Sequence, residues 1–298
     1  MERSREMFST YHPAVSFLFF IAAAVFAMFF IHPAFLTVSV VLSMAYLITV
    51  RRRKAIKLIL ILAAVFVAVA FINPLIDPNG HHVLFTWAGG RPYTLEALFY
   101  GMAVGGMFVT VIMWFASYNS VMTSDKFLYL FGRAAPSITL VITMVLRLVP
   151  NFRKKAAQIS GARRAVGKGY GKGSREKAEN GLAVLSSMTT WALEGGIVTS
   201  DSMKSRGFGT ARRTGFSVYR FEGRDKALLL VMAALAATVI FCGLNGAAET
   251  VYVPETRISS LDSGYALIGA SAYFIFLAIP TIINITEAAI WHNLRSGI

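Results

Sequence analysis

The sequence predicts an all-α polytopic membrane protein with about six transmembrane helices and a cytosolic helical insert. Three observations carry that prediction. Of its 298 residues, 56% are hydrophobic and only 15% are charged, a balance foreign to soluble domains. The apolar residues gather in blocks of about 18 residues or more, the length a helix needs to cross roughly 30 Å of hydrocarbon. The blocks lack the alternation of a membrane barrel, and a backbone in lipid must satisfy its own hydrogen bonds, which leaves helices as the spanning form.

Taken in order, the spans are expected at residues 14–31, 34–50, 55–72, 94–118, 227–245 and 265–286. The basic start, Met1 to Arg5, followed by an apolar run from Ala14, has the outline of a secretory signal. That run exceeds a usual signal core and a second apolar block follows beyond Pro33, so a retained pair of spans is expected. Asn73-Pro74 and Asp77-Pro78-Asn79-Gly80 should break the chain after the third span, and Gly89-Gly90-Arg91-Pro92 before the fourth. The chain thus divides into a four-span bundle over 1–119, an insert over 120–226 and two further spans over 227–298.

Orientation follows from lysine and arginine, which favour the cytoplasmic flank of a span. Arg51-Arg52-Arg53-Lys54 marks that side after the second span. The amino terminus, the stretch from Lys126 to Lys226 and Arg295 then fall in the cytosol, and Glu249, Glu255 and Asp262 fall outside a multi-pass protein of the cell (cytoplasmic) membrane. Two apolar segments within the insert, 136–150 and 181–200, test this layout. Were both to cross, the basic residues from Arg153 to Lys177 would face outward against the charge rule, so both are expected as cytosolic or interfacial helices.

Within the insert, Leu146-Arg147-Leu148-Val149-Pro150 leads into a helix from Asn151, with proline suited to its head. Phe152, Ala156, Ile159 and Arg163 recur at helical spacing, so an apolar stripe ends in a guanidinium near the carboxyl end, where the helix dipole favours a cation. Gly167 to Gly173 holds too many glycines to continue and is expected as a mobile linker. A second helix is expected from Gly181 to Arg206, with Glu194 and Asp201 on one narrow polar line and the remaining circumference buried. It ends at Ser205-Arg206-Gly207-Phe208-Gly209, where Gly207 or Gly209 can take the left-handed conformation that closes a helix.

This pair of helices, entered through Leu-Arg-Leu-Val-Pro and ending in short Ala/Ser-Arg-Gly-like motifs, resembles the coupling helices of the energy-coupling factor transporter T component. The likeness continues through Ala211-Arg212-Arg213-Thr214 and Arg224-Asp225-Lys226. It covers nearly the whole chain in layout and is specific from Leu146 to Lys226, while the span at 265–286 is an addition to the family pattern. The resemblance implies a scaffold whose motifs dock into two ABC-type ATPase subunits and whose helices move a separate substrate-binding S component in the bilayer. ATP would be bound by those subunits and not by this chain. The docking and lever residues so implied are Arg147, Pro150, Arg163, Arg164, Gly167, Ser205, Arg206 and Gly207. Ser205-Arg206-Gly207 matches the motif well. In the first motif Val166 of Ala165-Val166-Gly167 stands where arginine belongs, which implies asymmetric docking, with Arg163 or Arg164 one turn earlier as the replacement charge.

Other chemistries find little support in the residues. Neither Gly-Lys pair between Gly167 and Ser174 is followed by Ser or Thr, and no strand precedes them, so the Walker pattern fails. No nucleophile, base or metal constellation is apparent, so no enzyme and no cofactor are expected. His81-His82 lacks further ligands, and Cys242 is alone and reads as a packing residue. The basic residues are not interleaved with stacking aromatics, so no nucleic acid is expected. Lys168, Lys172, Arg175 and Lys177 equally suit anionic lipid headgroups. Glu96 is expected to complement the amino end of the fourth span. Glu287 with Asn284 one turn earlier reads either as a polar site in a transport path or as a snorkelling side chain. A membrane-embedded enzyme, a channel and a secondary transporter are the competing classes. The cargo, a vitamin or a transition-metal ion, is not written in this chain.

Overall fold

The computed structural model of the chain describes residues 7–77, 80, 82–86, 92–132, 135–168, 173–210, 219–252, 257–258 and 263–296. Among them α-helix dominates: α1 Pro13–Phe29, α2 Pro33–Arg51, α3 Arg53–Ile76, α4 Leu95–Val121, α5 Ser124–Gly132, α6 Pro136–Ala165, α7 Ser174–Ser205, α8 Gly223–Cys242 and α9 Gly264–Ser296. Helices α2, α3, α4, α8 and α9 are long and apolar enough to cross a membrane, so the all-α polytopic class holds. Helix α1, with 17 residues, falls just short of that length. It nevertheless runs from one end of the bundle to the other. His12, just before it, meets the first turn of α8 through Asp225, and Ile31, just after it, accepts a hydrogen bond from the Tyr252 hydroxyl.

Two compact units result. Residues 1–127 and 219–298 form the bundle, and residues 128–218 form a second unit. The bundle core is aromatic. Trp114 is 1% exposed, stacked on Tyr46 and set edge-on to Phe19 and Phe20, while Phe19 also stacks on Phe276 of α9. Two helices begin with the same His-Pro-Ala sequence. In both, the histidine Nδ1 accepts the second helical N–H, at 3.2 Å from Ala14 and from Ala34, and the proline occupies the first turn, where its missing N–H costs nothing.

Helix α3 corrects one expectation. Asn73-Pro74 does not break it; the helix continues to Ile76 and stops at Asp77, ahead of Pro78. Pro74 cannot bond the carbonyl of Ala70, and α4 closes over that carbonyl. A Cβ on Gly101 would lie 2.7 Å from the Ala70 oxygen, so only glycine allows the two backbones this approach. Short antiparallel pairs also stand where only loops were expected. Val83–Thr86 (β1) pairs with Pro92–Thr94 (β2), with Phe85 and Tyr93 stacked at 4.8 Å, and Thr250–Val251 (β3) pairs with Arg257–Ile258 (β4).

The two ends of the bundle differ in charge. At one end, the last turn of α4 is capped by cations: Arg51 donates to the Ala116 carbonyl at 2.7 Å and to Ser120 Oγ at 2.9 Å, and Lys126 donates to the Val121 carbonyl at 3.2 Å. At the other end, buried Glu96 sits in the first turn of α4 and accepts the His82 N–H at 3.1 Å, as the dipole argument expects. His81 lies outside the described residues. Cys242 is 2% exposed in a small cluster with Ala247 and Ala266, which is a packing role.

Arg52 alone separates α2 from α3, at φ 47° and ψ −121°, a region that L residues rarely occupy. Arg52→Gly is therefore expected to stabilise the protein by about 1 kcal/mol, read as a raised thermal midpoint in detergent. An unchanged or lowered midpoint would mean that the turn carries no strain.

Candidate functional site

In the second unit, α6 and α7 are antiparallel and share one seam. The Phe152 ring meets the Trp191 ring edge-on at 5.4 Å, Lys155 Nζ lies 5.7 Å from the same indole, and Arg163 Nε donates to Asn180 Oδ1 at 2.7 Å. The half-buried residues of α6 along this seam include Phe152, Ala156, Ile159 and Arg163, the stripe expected from helical spacing. Those of α7 include Asn180, Val184, Met188 and Trp191. That second stripe also stands in the sequence at helical spacing, and it identifies Asn180 and Trp191 as seam residues beyond those expected.

Helix boundaries differ from expectation at both starts. Pro150 does not head a helix: α6 is continuous from Pro136, which takes the first-turn position, and Pro150 lies inside it. An interior proline forfeits one hydrogen bond, here to Leu146, and the flanking turns carry the helix across it. Helix α7 starts at Ser174, not Gly181. Glu176 in its first turn and the exposed Arg175–Glu179 pair, at 3.5 Å with i,i+4 spacing, support the added turns. Residues 169–172, within the expected linker, lie outside the described residues, as do Ala211 to Thr214.

The expectation that α7 is buried over most of its circumference is also corrected. None of the described residues of α6 or α7 is buried. Within the unit the two helices cover one narrow face of each other. The outward arms remain bare and apolar: Ile138, Val141, Ile142 and Val145 on α6, and Leu193, Ile197 and Val198 on α7, are 41–65% exposed. Apolar side chains in such number mark an interaction surface. Arg147 and Pro150 sit on the bare arm of α6 and are exposed.

Both helices end in the same backbone device. At the end of α6, the Gly167 N–H donates to the Arg164 carbonyl at 2.9 Å and the Lys168 N–H to the Arg163 carbonyl at 3.0 Å. At the end of α7, the Gly207 N–H donates to the Lys204 carbonyl at 2.9 Å and the Phe208 N–H to the Met203 carbonyl at 3.0 Å. With Gly167 at φ 79° and Gly207 at φ 81°, each is a Schellman closure that needs glycine for its left-handed residue. The residue ahead of each glycine adopts the same conformation, φ −89° and ψ 14° for Val166 and φ −85° and ψ 7° for Arg206. Val166 and Arg206 are therefore equivalent in backbone and opposite in chemistry, and both are exposed. Ser205 Oγ turns back to the Ser202 carbonyl at 3.0 Å. Of the two arginines near Val166, Arg163 is engaged with Asn180 in the seam, whereas Arg164 is exposed.

The chain leaves the bundle after Phe127 and returns at Tyr219. These two roots are neighbours: burial first, and then the Asp125 carboxylate, push the Tyr219 hydroxyl above its ordinary pKa. Among the described residues, no group of three or more His, Cys, Asp or Glu side chains is placed to hold a metal ion. The Asn284 Oδ1 accepts the Met7 and Phe8 backbone N–H groups, and Glu287 is half-buried one turn on. No protein-family model matches the chain, and no curated protein matches it significantly.

Proposed function

We propose that this chain is the transmembrane coupling and scaffold subunit of an importer of the energy-coupling factor class. In this reading it carries the ATP-driven motion of two ABC-type ATPase subunits to a separate substrate-binding membrane subunit, for uptake of a vitamin or a transition-metal ion. The observation that carries the reading is the pair of twin helix ends. Two long helices, with no buried residue among those described, close in the same glycine-dependent geometry, one presenting Arg206 and the other Val166. A rigid helix with a fixed end is what a lever needs, because motion is transmitted only where the contacts differ between nucleotide states. The bundle end carrying Arg51 and Lys126 faces the cytosol, so the insert meets cytosolic ATPases. The chain itself performs no catalysis. The exposed apolar arms of α6 and α7 suit the substrate-binding subunit and lipid, and the ATPase that docks at Val166 differs from the one that docks at Arg206.

Co-purification of the chain from native membranes tests this. Two nucleotide-binding polypeptides and a small apolar membrane protein are expected alongside it. Isolation of the chain alone, together with uptake by vesicles containing nothing else, would identify a secondary transporter or channel instead.

A further inference from the structure

Residues 7–12 lie just ahead of α1. They form a 3-10 turn, Met7–Thr10, and a short lead into α1, wedged against one end of the bundle. Phe8 is fully buried and lies 5.5 Å from Phe19 and 6.1 Å from Phe20, ring to ring. Three elements distant in sequence hold this segment. Asn284 Oδ1 of α9 accepts the Met7 and Phe8 N–H groups at 3.1 and 3.3 Å. Lys126 Nζ, where the chain departs for the second unit, donates to the Ser9 carbonyl at 2.6 Å. Asp225 Oδ1, where the chain returns, accepts the His12 N–H at 3.1 Å.

The returning root has further holds. The Arg224 guanidinium lies over the Tyr11 ring at 5.5 Å, and the His12 and Phe221 rings are 4.5 Å apart. Asp225 is itself fixed, since its other carboxylate oxygen accepts the Glu222 N–H at 3.0 Å and closes the capping box of α8. Lys126 and Asp225 are 7% and 3% exposed, so both grips are shielded from water, where such bonds hold best. Ser9 and His12 are only three residues apart, and three residues of extended chain span at most about 11 Å. One short, rigid segment therefore sets the spacing between the exit and the return of residues 128–218.

We infer that residues 7–12 are a clasp that fixes the two roots of the α6–α7 unit to each other, with Lys126, Asp225 and Asn284 as its positioning residues. On the function proposed above, the clasp is the fulcrum of the lever: without it, motion of α6 and α7 dissipates in the roots and does not reach the bundle. Asn284 is the informative position because, among the described residues, its side chain bonds only to the clasp: Oδ1 accepts the Met7 and Phe8 N–H groups, and the buried Nδ2 makes no hydrogen bond to either root.

The test is hydrogen exchange on the full chain in lipid nanodiscs, comparing wild type with Asn284→Ala and Asn284→Asp. Asn284→Ala is expected to speed exchange at least tenfold at residues 7–12 and, together with them, at 123–130 and 219–228. Asn284→Asp keeps the accepting oxygen and is expected to retain protection at all three segments. Faster exchange confined to residues 7–12, or no change anywhere, overturns the clasp. A second readout follows ATP turnover and uptake in native membranes. Asn284→Ala should leave ATPase co-purification intact and lower uptake per ATP several-fold, whereas unchanged uptake per ATP rules out the fulcrum. If wild type retains no ATPase, the proposed function fails, and the exchange data still decide the clasp.

Discussion

On the proposed function, Arg206→Glu is expected to weaken association with one ATPase subunit about a hundredfold and to abolish uptake. The estimate rests on the cost of reversing one partner of a directed ion pair at an interface, commonly two decades or more of affinity. Arg206 stands at the end of a 32-residue helix whose closure is set by Gly207, so the guanidinium is presented by a stiff element and not by a loop. Such placement limits the entropy lost on docking. Val166→Glu, at the equivalent backbone position of α6, removes no cation and is expected to weaken association only a few-fold. Titration of the purified ATPases onto immobilised variants separates the two. Equal losses at both positions would contradict asymmetric docking, and no loss at Arg206 would remove it from the interface.

Trp114→Ala is expected to be the most destabilising single change in the bundle, by about 3–5 kcal/mol. Trp114 is 1% exposed, and Phe19, Phe20 and Tyr46 surround it from α1 and α2. Truncation leaves a cavity bounded by aromatic rings of two helices, α1 and α2, which cannot collapse without moving their axes. Phe29→Ala is the matched control. Phe29 is 78% exposed on α1 and loses only contact with the surroundings, so its thermal midpoint should shift little. A Trp114→Ala midpoint no lower than that of Phe29→Ala would place the core elsewhere.

Much of this protein is written locally. The positions of the long apolar helices follow from block length, because the hydrocarbon layer sets one length scale for every span. The stripe of Phe152, Ala156, Ile159 and Arg163 emerged from a 3.6-residue period, and the closure at Gly207 from one glycine after a helical run. Each depends on forces acting within a turn or two of the residue concerned. Local reading erred at prolines: Pro74 and Pro150 lie inside helices because each removes a single bond while the turns around it persist. The bond between Arg163 and Asn180 was not legible either, since the two residues lie on different helices.

By itself the sequence determined the class of fold, the basic end of the bundle and the glycine closure of α7, since lipid thickness, charge and the chirality of the backbone act on each segment independently. The matching closure at Gly167 emerged only in the structure. Only the tertiary structure decided that Asn284 holds Met7 across 277 residues and that Asp225 holds His12 across 213. A hydrogen bond between such distant residues has no period, spacing or composition to announce it, and it exists only once six helices have been packed side by side.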